Sequence, residues 1–250
     1  MENQNKIPKI IHYCWFSNDR QPELIRRCIK SWKRILPDYK IKCWDMNSFD
    51  FDRLPFVKQA IQKRKWAFAS DYVRLYALYT EGGIYLDSDV EVFRSFDQFL
   101  NNKFFAGTDT RITNGYKMFF IESAIMGAES GNEYLALCMK YYCEKNFIQE
   151  NGTLDMTMNP DILSDILNSY DPNYKREDIK QELKSQMTIY PTNYFANSNY
   201  EVTKELYAKH WNTYAWRERG KLYSFCVKYD VMGLYSFLEK IRLVCSKIMF

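Results

Sequence analysis

Between Trp66 and Phe93 the chain has little freedom in how it folds. Trp66, Ala69, Val73, Tyr76 and Thr80 recur at helical spacing, and Gly82-Gly83 follows them, a helix stop in which a residue enters the left-handed region. Ile84, Tyr85 and Leu86 then form a short apolar run, which reads as a buried strand. Asp87 and Asp89 come next, two residues apart. In extended chain both carboxylates point to one side. A helix leading through two glycines into a buried strand with paired acids at its mouth calls for an α/β sheet with a charged site at its edge.

Two carboxylates at the end of a buried strand repel each other and are costly to desolvate, so a positive group is expected between them. Hard oxygen ligands suit Mg²⁺ or Mn²⁺, ions that bind one or two carboxylates together with substrate phosphates. On the preceding helix Asp71 and Arg74 are three apart and share a face. They supply an acid and a guanidinium beside the strand end. An isolated Asp-x-Asp reads equally as a solvated turn; the helix, glycine stop and apolar strand around this one favour a metal site.

The run Ala69-Ser70-Asp71-x-x-Arg74, followed by Gly82-Gly83-Ile84-Tyr85-x-Asp87-x-Asp89, resembles the core signature of the DXD-containing sugar transferases of glycosyltransferase family 32, the bacterial capsular and yeast mannosyltransferase group. It is also similar to the glucosyltransferase domains of large clostridial toxins. The resemblance implies a GT-A fold, with a mostly parallel central sheet flanked by helices, a nucleotide-sugar donor, Mn²⁺ or Mg²⁺, and retention of anomeric configuration. It implies metal binding by Asp89 and less directly by Asp87, hydroxyl bonding by Asp71, and positive charge from Arg74 near the phosphate or sugar. Ser70 joins the donor site on the same ground. The opening Ile11-His12-x-x-Trp15 resembles the family's Ile-His-x-x-Trp and implies that Trp15 stacks on the donor's base; a Trp packed in the core is the alternative. A late His-x-Trp-type segment is matched by His210, Trp211 and Trp216, with Ala215 where the family commonly has Ser. His210 is thereby a candidate metal ligand, against a core or acceptor-side histidine, and Trp216 a donor contact. Neutral imidazole suits Mn²⁺ better than Mg²⁺.

At 250 residues, 46% hydrophobic and 17% aromatic, the chain is able to bury a sizeable core, and its net charge of +4 gives no licence for nucleic-acid binding. Seven scattered cysteines without a Cys-x-x-Cys pair read as free thiols in a reducing compartment. The polar start and the lack of a long apolar run lead us to expect a cytoplasmic protein, or one lying on the membrane from that side. Ile7 to Phe16 reads as a first strand with His12 a satisfied strand histidine, Pro22 to Leu36 as a helix, and Tyr39 to Trp44 as a second strand. Phe104–Gly107 and Met118–Ile121 read as short strands, with the Asp109 to Asn114 loop facing the sugar or acceptor. Glu133 to Lys145 and Asn159 to Leu167 read as helices, Thr188 to Phe195 as a late strand, and the polar Ser169 to Ser185 as a mobile insert. We expect a catalytic domain over 1–220, its nucleotide-binding half over 1–100 and its acceptor half over 101–220. Over 221–250, Val231, Leu234, Leu238, Ile241, Cys245 and Ile248 form one stripe beside Lys228, Lys240, Arg242 and Lys247. That pattern suits a helix lying on an anionic membrane or packed on the domain.

The expected function is transfer of a sugar from a nucleotide diphosphate, UDP before GDP, to a growing glycan, as in capsular polysaccharide synthesis on a lipid-linked intermediate. A protein acceptor is the alternative. A haloacid-dehalogenase-type phosphatase also places an Asp-x-Asp after a strand, but some 80 residues precede this one and no Gly-Asp-x-x-x-Asp follows. A non-catalytic sugar-binding module is the remaining reading.

Overall fold

A computed structural model describes residues 6–195, 203–213 and 221–231. Its centre is a seven-stranded sheet in the order β2-β1-β3-β6-β5-β8-β7. These strands are β1 (Ile10–Cys14), β2 (Lys40–Trp44), β3 (Gly83–Leu86), β5 (Phe104–Thr113), β6 (Tyr116–Ala128), β7 (Gln181–Leu183) and β8 (Met187–Tyr190). β4 (Val90–Val92) and β9 (Ala208–His210) form a separate antiparallel pair. In the large sheet β1 is parallel to β2 and β3, and β5 to β8, whereas β6 and β7 run the other way. Five strands thus share one direction, the mostly parallel sheet expected of the α/β class.

Helices cover both faces. Helix α1 (Glu23–Ile35) buries Trp32 in a cluster with Ile11, Ile84, Leu86, Val90 and Phe99. The other face carries α2 (Pro55–Gln62), α3 (Trp66–Glu81), α4 (Glu133–Cys143) and α5 (Asn159–Tyr170), whose Phe56, Phe68, Tyr134 and Leu163 pack in one cluster with Phe104 and Met126 of the sheet.

The turn between α3 and β3 is where helix and sheet are joined. Gly82 and Gly83 have φ of +64° and +110°, and a Cβ on Gly83 would lie 2.7 Å from the Ile10 carbonyl and 3.0 Å from His12 Nε2. His12 is fully buried; its Nε2 lies 2.8 Å from the Gly82 carbonyl, and its Nδ1 accepts the Trp44 indole N–H at 3.1 Å. It is the satisfied strand histidine expected.

Several expectations need correction. The Asp109 to Asn114 segment is not a loop, because Asp109 to Thr113 continue β5 and only Asn114-Gly115, with φ of +52° and +81°, turns the chain. Asn-Gly with both residues at positive φ matches the twist of a two-residue hairpin, and both strands lengthen accordingly. The polar 169–185 stretch is tethered rather than loose: buried Asp171 accepts the N–H groups of Asn173 and Lys184, and Gln181 bonds both main-chain groups of Lys175. In the tail, α6 (Lys221–Tyr229) packs Cys226 on Leu24 and Cys28 of α1, while Leu234, Leu238, Ile241, Cys245 and Ile248 lie outside the described residues.

Gly83→Ala is expected to cost about 2–4 kcal/mol, combining positive-φ strain with the clash against Ile10 and His12. A urea midpoint equal to that of the parent chain would show that the turn tolerates a side chain.

Candidate functional site

The site forms where β3 ends. Asp87 and Asp89 do not continue the strand, contrary to the extended geometry expected: the chain turns at Ser88, with Val90 N–H bonded to the Asp87 carbonyl at 2.9 Å. The turn, rather than the period of a strand, aims both carboxylates at one point. Asp87 N–H is itself held by the Ala124 carbonyl of β6 at 2.9 Å.

On α3, Arg74 is 3% exposed and spends its donors on protein groups. Nε reaches the Ser70 carbonyl at 3.2 Å, Nη1 the Ser123 carbonyl at 2.8 Å and hydroxyl at 3.2 Å, and Nη2 the Ser70 hydroxyl at 3.1 Å. Nη2 also lies 3.0 Å from Asp71 and 3.4 Å from Asp87, and the guanidinium sits 4.8 Å from the Tyr85 ring centre. The Tyr85 hydroxyl donates to Asp87 at 2.9 Å. Burial raises the Asp71 carboxyl to about 7, with Arg74 pulling it down and Asp87 pushing it up.

Asp89 is placed by the β4–β9 pair, in which Val90 is opposite His210. Its Oδ2 accepts the Thr213 N–H at 2.9 Å and hydroxyl at 2.8 Å, and its Oδ1 lies 3.3 Å from His210 Nε2. Burial works against charge on Asp89, but His210 and the two Thr213 donors outweigh it and bring the carboxyl down to about 2. For His210, burial disfavours protonation, yet the Asp89 and Glu122 carboxylates more than offset this and raise its pKa well above the usual value.

Asp87, Asp89 and His210 each offer one ligand atom, all within 4.8 Å of one another. Two hard oxygens and one imidazole in that space fit Mn²⁺, and Mg²⁺ less well. The sequence-expected set Ser70, Asp71, Arg74, Asp87, Asp89 and His210 therefore comes together at one place. Trp15 follows Cys14, whose thiol neighbours Arg74, Tyr85 and Asp87; its indole N–H lies 3.3 Å from the Asp19 carbonyl and its ring is half-buried. Trp216 lies outside the described residues.

Sequence reasoning missed Tyr85, Glu122, Ser123 and Thr213. The register of β6 against β5 jumps from Ala106↔Met126 to Gly107↔Glu122, so residues 123–125 drop out of that ladder. Ser123 turns its carbonyl and hydroxyl to Arg74, while the Ala124 carbonyl carries the β3–β6 ladder one step further onto the Asp87 N–H. The one visible signal was a charge, Glu122, inside the apolar run 118–126. Asp109 stands near this group; burial and then Glu122 raise its carboxyl to about 6.

Residues 22–106 match the model of the glycosyltransferase sugar-binding region containing the DXD motif. An uncharacterized glycosyltransferase, L373, of Acanthamoeba polyphaga mimivirus is 24% identical over 229 residues, 86% of either chain. Inositol phosphoceramide mannosyltransferase 3 of Schizosaccharomyces pombe is 35% identical over 99 residues, which take in 38% of this chain and only 28% of the yeast protein. Among solved structures the PaToxG glycosyltransferase superposes with a TM-score of 0.47 at 21% identity, covering 66% of this chain and 70% of that one.

Arg74→Met would leave two carboxylates without their buried counter-charge and is expected to cost about 3–5 kcal/mol. Arg74→Lys, which keeps the charge and loses the fork, should fall between it and the parent. Equal urea midpoints for Arg74→Met and the parent chain would refute the structural role given to this guanidinium.

Proposed function

We propose that the chain, a glycosyltransferase by its sugar-binding region and its relatives, moves a sugar from a nucleotide diphosphate donor to a glycan hydroxyl with retention of configuration. The observation that carries this reading is the convergence of Asp87, Asp89 and His210 beside the buried Asp71–Arg74 pair. Asp87, Asp89 and His210 would hold Mn²⁺ or Mg²⁺, which when bound supplies positive charge and Lewis acidity to the departing diphosphate.

The protein groups have separate tasks in this scheme. Asp71, poised near neutrality, accepts or donates a hydrogen bond to a sugar or ribose hydroxyl. Arg74 is too enclosed to wrap a phosphate; it fixes the Asp71 and Asp87 carboxylates and adds its charge behind them. Trp15 stacks on the base, and Ser70 and Trp216 complete the donor site. Catalysis is assigned to Asp71, Arg74 and Asp89. No side chain at the site is offered as a covalent nucleophile, so the new bond forms on the face that the diphosphate leaves. Trapping of a glycosyl adduct on the protein would replace that step.

For the acceptor we favour a lipid-linked polysaccharide intermediate over a protein, at the cytoplasmic face of the membrane. Residues 1–220 serve as the catalytic unit, and 221–250 as its membrane contact. In support, α6 turns Leu222, Phe225 and Tyr229 outward, each about half exposed, next to Lys221 and Lys228. A lipid-borne acceptor also figures in the name of the yeast relative. Flotation with phosphatidylglycerol vesicles, and its loss in Phe225→Glu, is the expected behaviour. Failure of the full chain to float would remove the membrane from the scheme.

Donor turnover across UDP- and GDP-sugars with Mn²⁺ is expected for one donor, UDP-linked before GDP-linked, and to be lost in Asp89→Asn. Cleavage of a phosphomonoester with no nucleotide sugar bound would overturn the assignment. Because the His210 pKa is raised, the metal-free ring carries a proton that an ion at Nε2 must displace. Mn²⁺ affinity should therefore rise with pH, and titration calorimetry should register proton release. Affinity independent of pH would take His210 out of the metal shell.

A further inference from the structure

Glu122 is 3% exposed, yet nothing assigned so far to the donor, the metal or the acceptor explains a carboxylate in that place. It stands in β6 opposite Gly107, where the register jumps, and its Oε1 accepts the Ala124 N–H at 2.7 Å. The same oxygen lies 3.6 Å from His210 Nδ1, which is buried and has no hydrogen-bond partner among the described residues. On the opposite edge of that ring, Nε2 faces Asp89 at 3.3 Å and Asp87 at 3.9 Å. The imidazole is thus held between a metal-binding pair on one side and a single carboxylate on the other.

We propose that Glu122 is a positioning residue that accepts the Nδ1 proton of His210 and so fixes the ring in the tautomer whose Nε2 lone pair points at Asp87 and Asp89. A neutral imidazole ligates through the nitrogen that carries no hydrogen, and a carboxylate on the other nitrogen both orients the ring and makes it a better donor. The gap has to close from 3.6 Å to the ordinary N–H···O distance of about 2.9 Å, a small shift of the imidazole towards an oxygen that the Ala124 N–H already anchors and that keeps a second lone pair for the ring. Consecutive residues of β6 then serve three parts of the site: Glu122 the His210 ring, Ser123 the Arg74 guanidinium and Ala124 the Asp87 backbone. This inference rests on the reading of Asp87, Asp89 and His210 as metal ligands.

The chain contains only two histidines, which makes the proton position readable. His12 accepts the Trp44 indole at Nδ1 and so carries its proton on Nε2; His210 should carry it on Nδ1. With saturating Mg²⁺, long-range ¹H–¹⁵N spectra of the parent protein are expected to show one ring of each tautomer. Mn²⁺ affinity, followed by electron paramagnetic resonance, should fall about 10–100-fold in Glu122→Ala. The loss should be smaller in Glu122→Gln, which keeps an oxygen at the same reach. Both rings protonated at Nε2, or Glu122→Ala binding Mn²⁺ like the parent, would overturn the proposal. Should Glu122→Ala fail to fold, the parent's tautomer spectrum together with Glu122→Gln decides. His210→Ala separates the two levels: unchanged Mn²⁺ affinity there refutes the metal reading itself, whereas weakened binding there with no effect at Glu122 refutes this inference alone.

Discussion

The buried guanidinium of Arg74 is the interaction on which the arrangement depends. It joins the first turns of α3, through Ser70 and Asp71, to the turn after β3, through Asp87, and to β6, through Ser123. A charge taken out of water costs several kcal/mol unless every donor finds an acceptor, so this contact tolerates little slack. Satisfying it requires Asp87 to turn back towards the helix instead of running on as a strand. It also requires β6 to leave its ladder where Ser123 meets the ring of donors. The irregular register between β5 and β6 falls where Ser123 supplies acceptors to that ion.

A second clamp works from the other side of Asp89. Strand β9 brings His210 and Thr213 onto the acid turn, and its own position is secured behind the site. Glu91 of β4 is ion-paired with Arg27 of α1 and accepts the Trp211 indole N–H at 3.1 Å, while Arg27 also holds Asp230 past the end of α6. From Asp89 through β4 alternate residues therefore face opposite tasks, Val90 and Val92 entering the core while Asp89, in the turn before the strand, and Glu91 are tied to polar partners. The late segment is held at the site by the β4–β9 pairing, with Glu91, Arg27 and Asp230 joined behind it.

Local pattern made much of this legible. Helical spacing with a Gly-Gly stop marked α3 and its exit, and i, i+3 spacing put Asp71 beside Arg74, as the 3.0 Å contact bears out. What stayed hidden depends on distant pairing. Nothing near Glu122, Ser123 or Thr213 in sequence announces Arg74, Asp87 or Asp89, which lie 33 or more positions away. The alternation rule also placed Asp87 and Asp89 in extended chain, where the Asp87 carbonyl instead caps a turn at Val90. The Asn114-Gly115 hairpin was readable from its dipeptide, and the loop assigned there gave polar composition more weight than turn chemistry.

Charge balance explains why so strained a collection of groups is stable at all. Asp71, Asp87, Asp89, Glu122 and Asp109 stand around three basic side chains, Arg74, His210 and, 3.8 Å from Asp109, Arg111. Like charges about 4 Å apart repel by roughly 4 kcal/mol at an effective dielectric of 20, so the excess must be relieved. Protons do so in part: burial raises Asp71 to about 7 and Asp109 to about 6, while the Asp89 and Glu122 carboxylates raise the His210 pKa. Asp89, with two Thr213 donors, stays ionised. Burial drives the upward shifts at Asp71 and Asp109, whereas at Asp89 His210 and the two Thr213 donors outweigh it. A divalent cation entering among Asp87, Asp89 and His210 would remove the need for a proton on His210 first, because its charge falls on the group that now carries it.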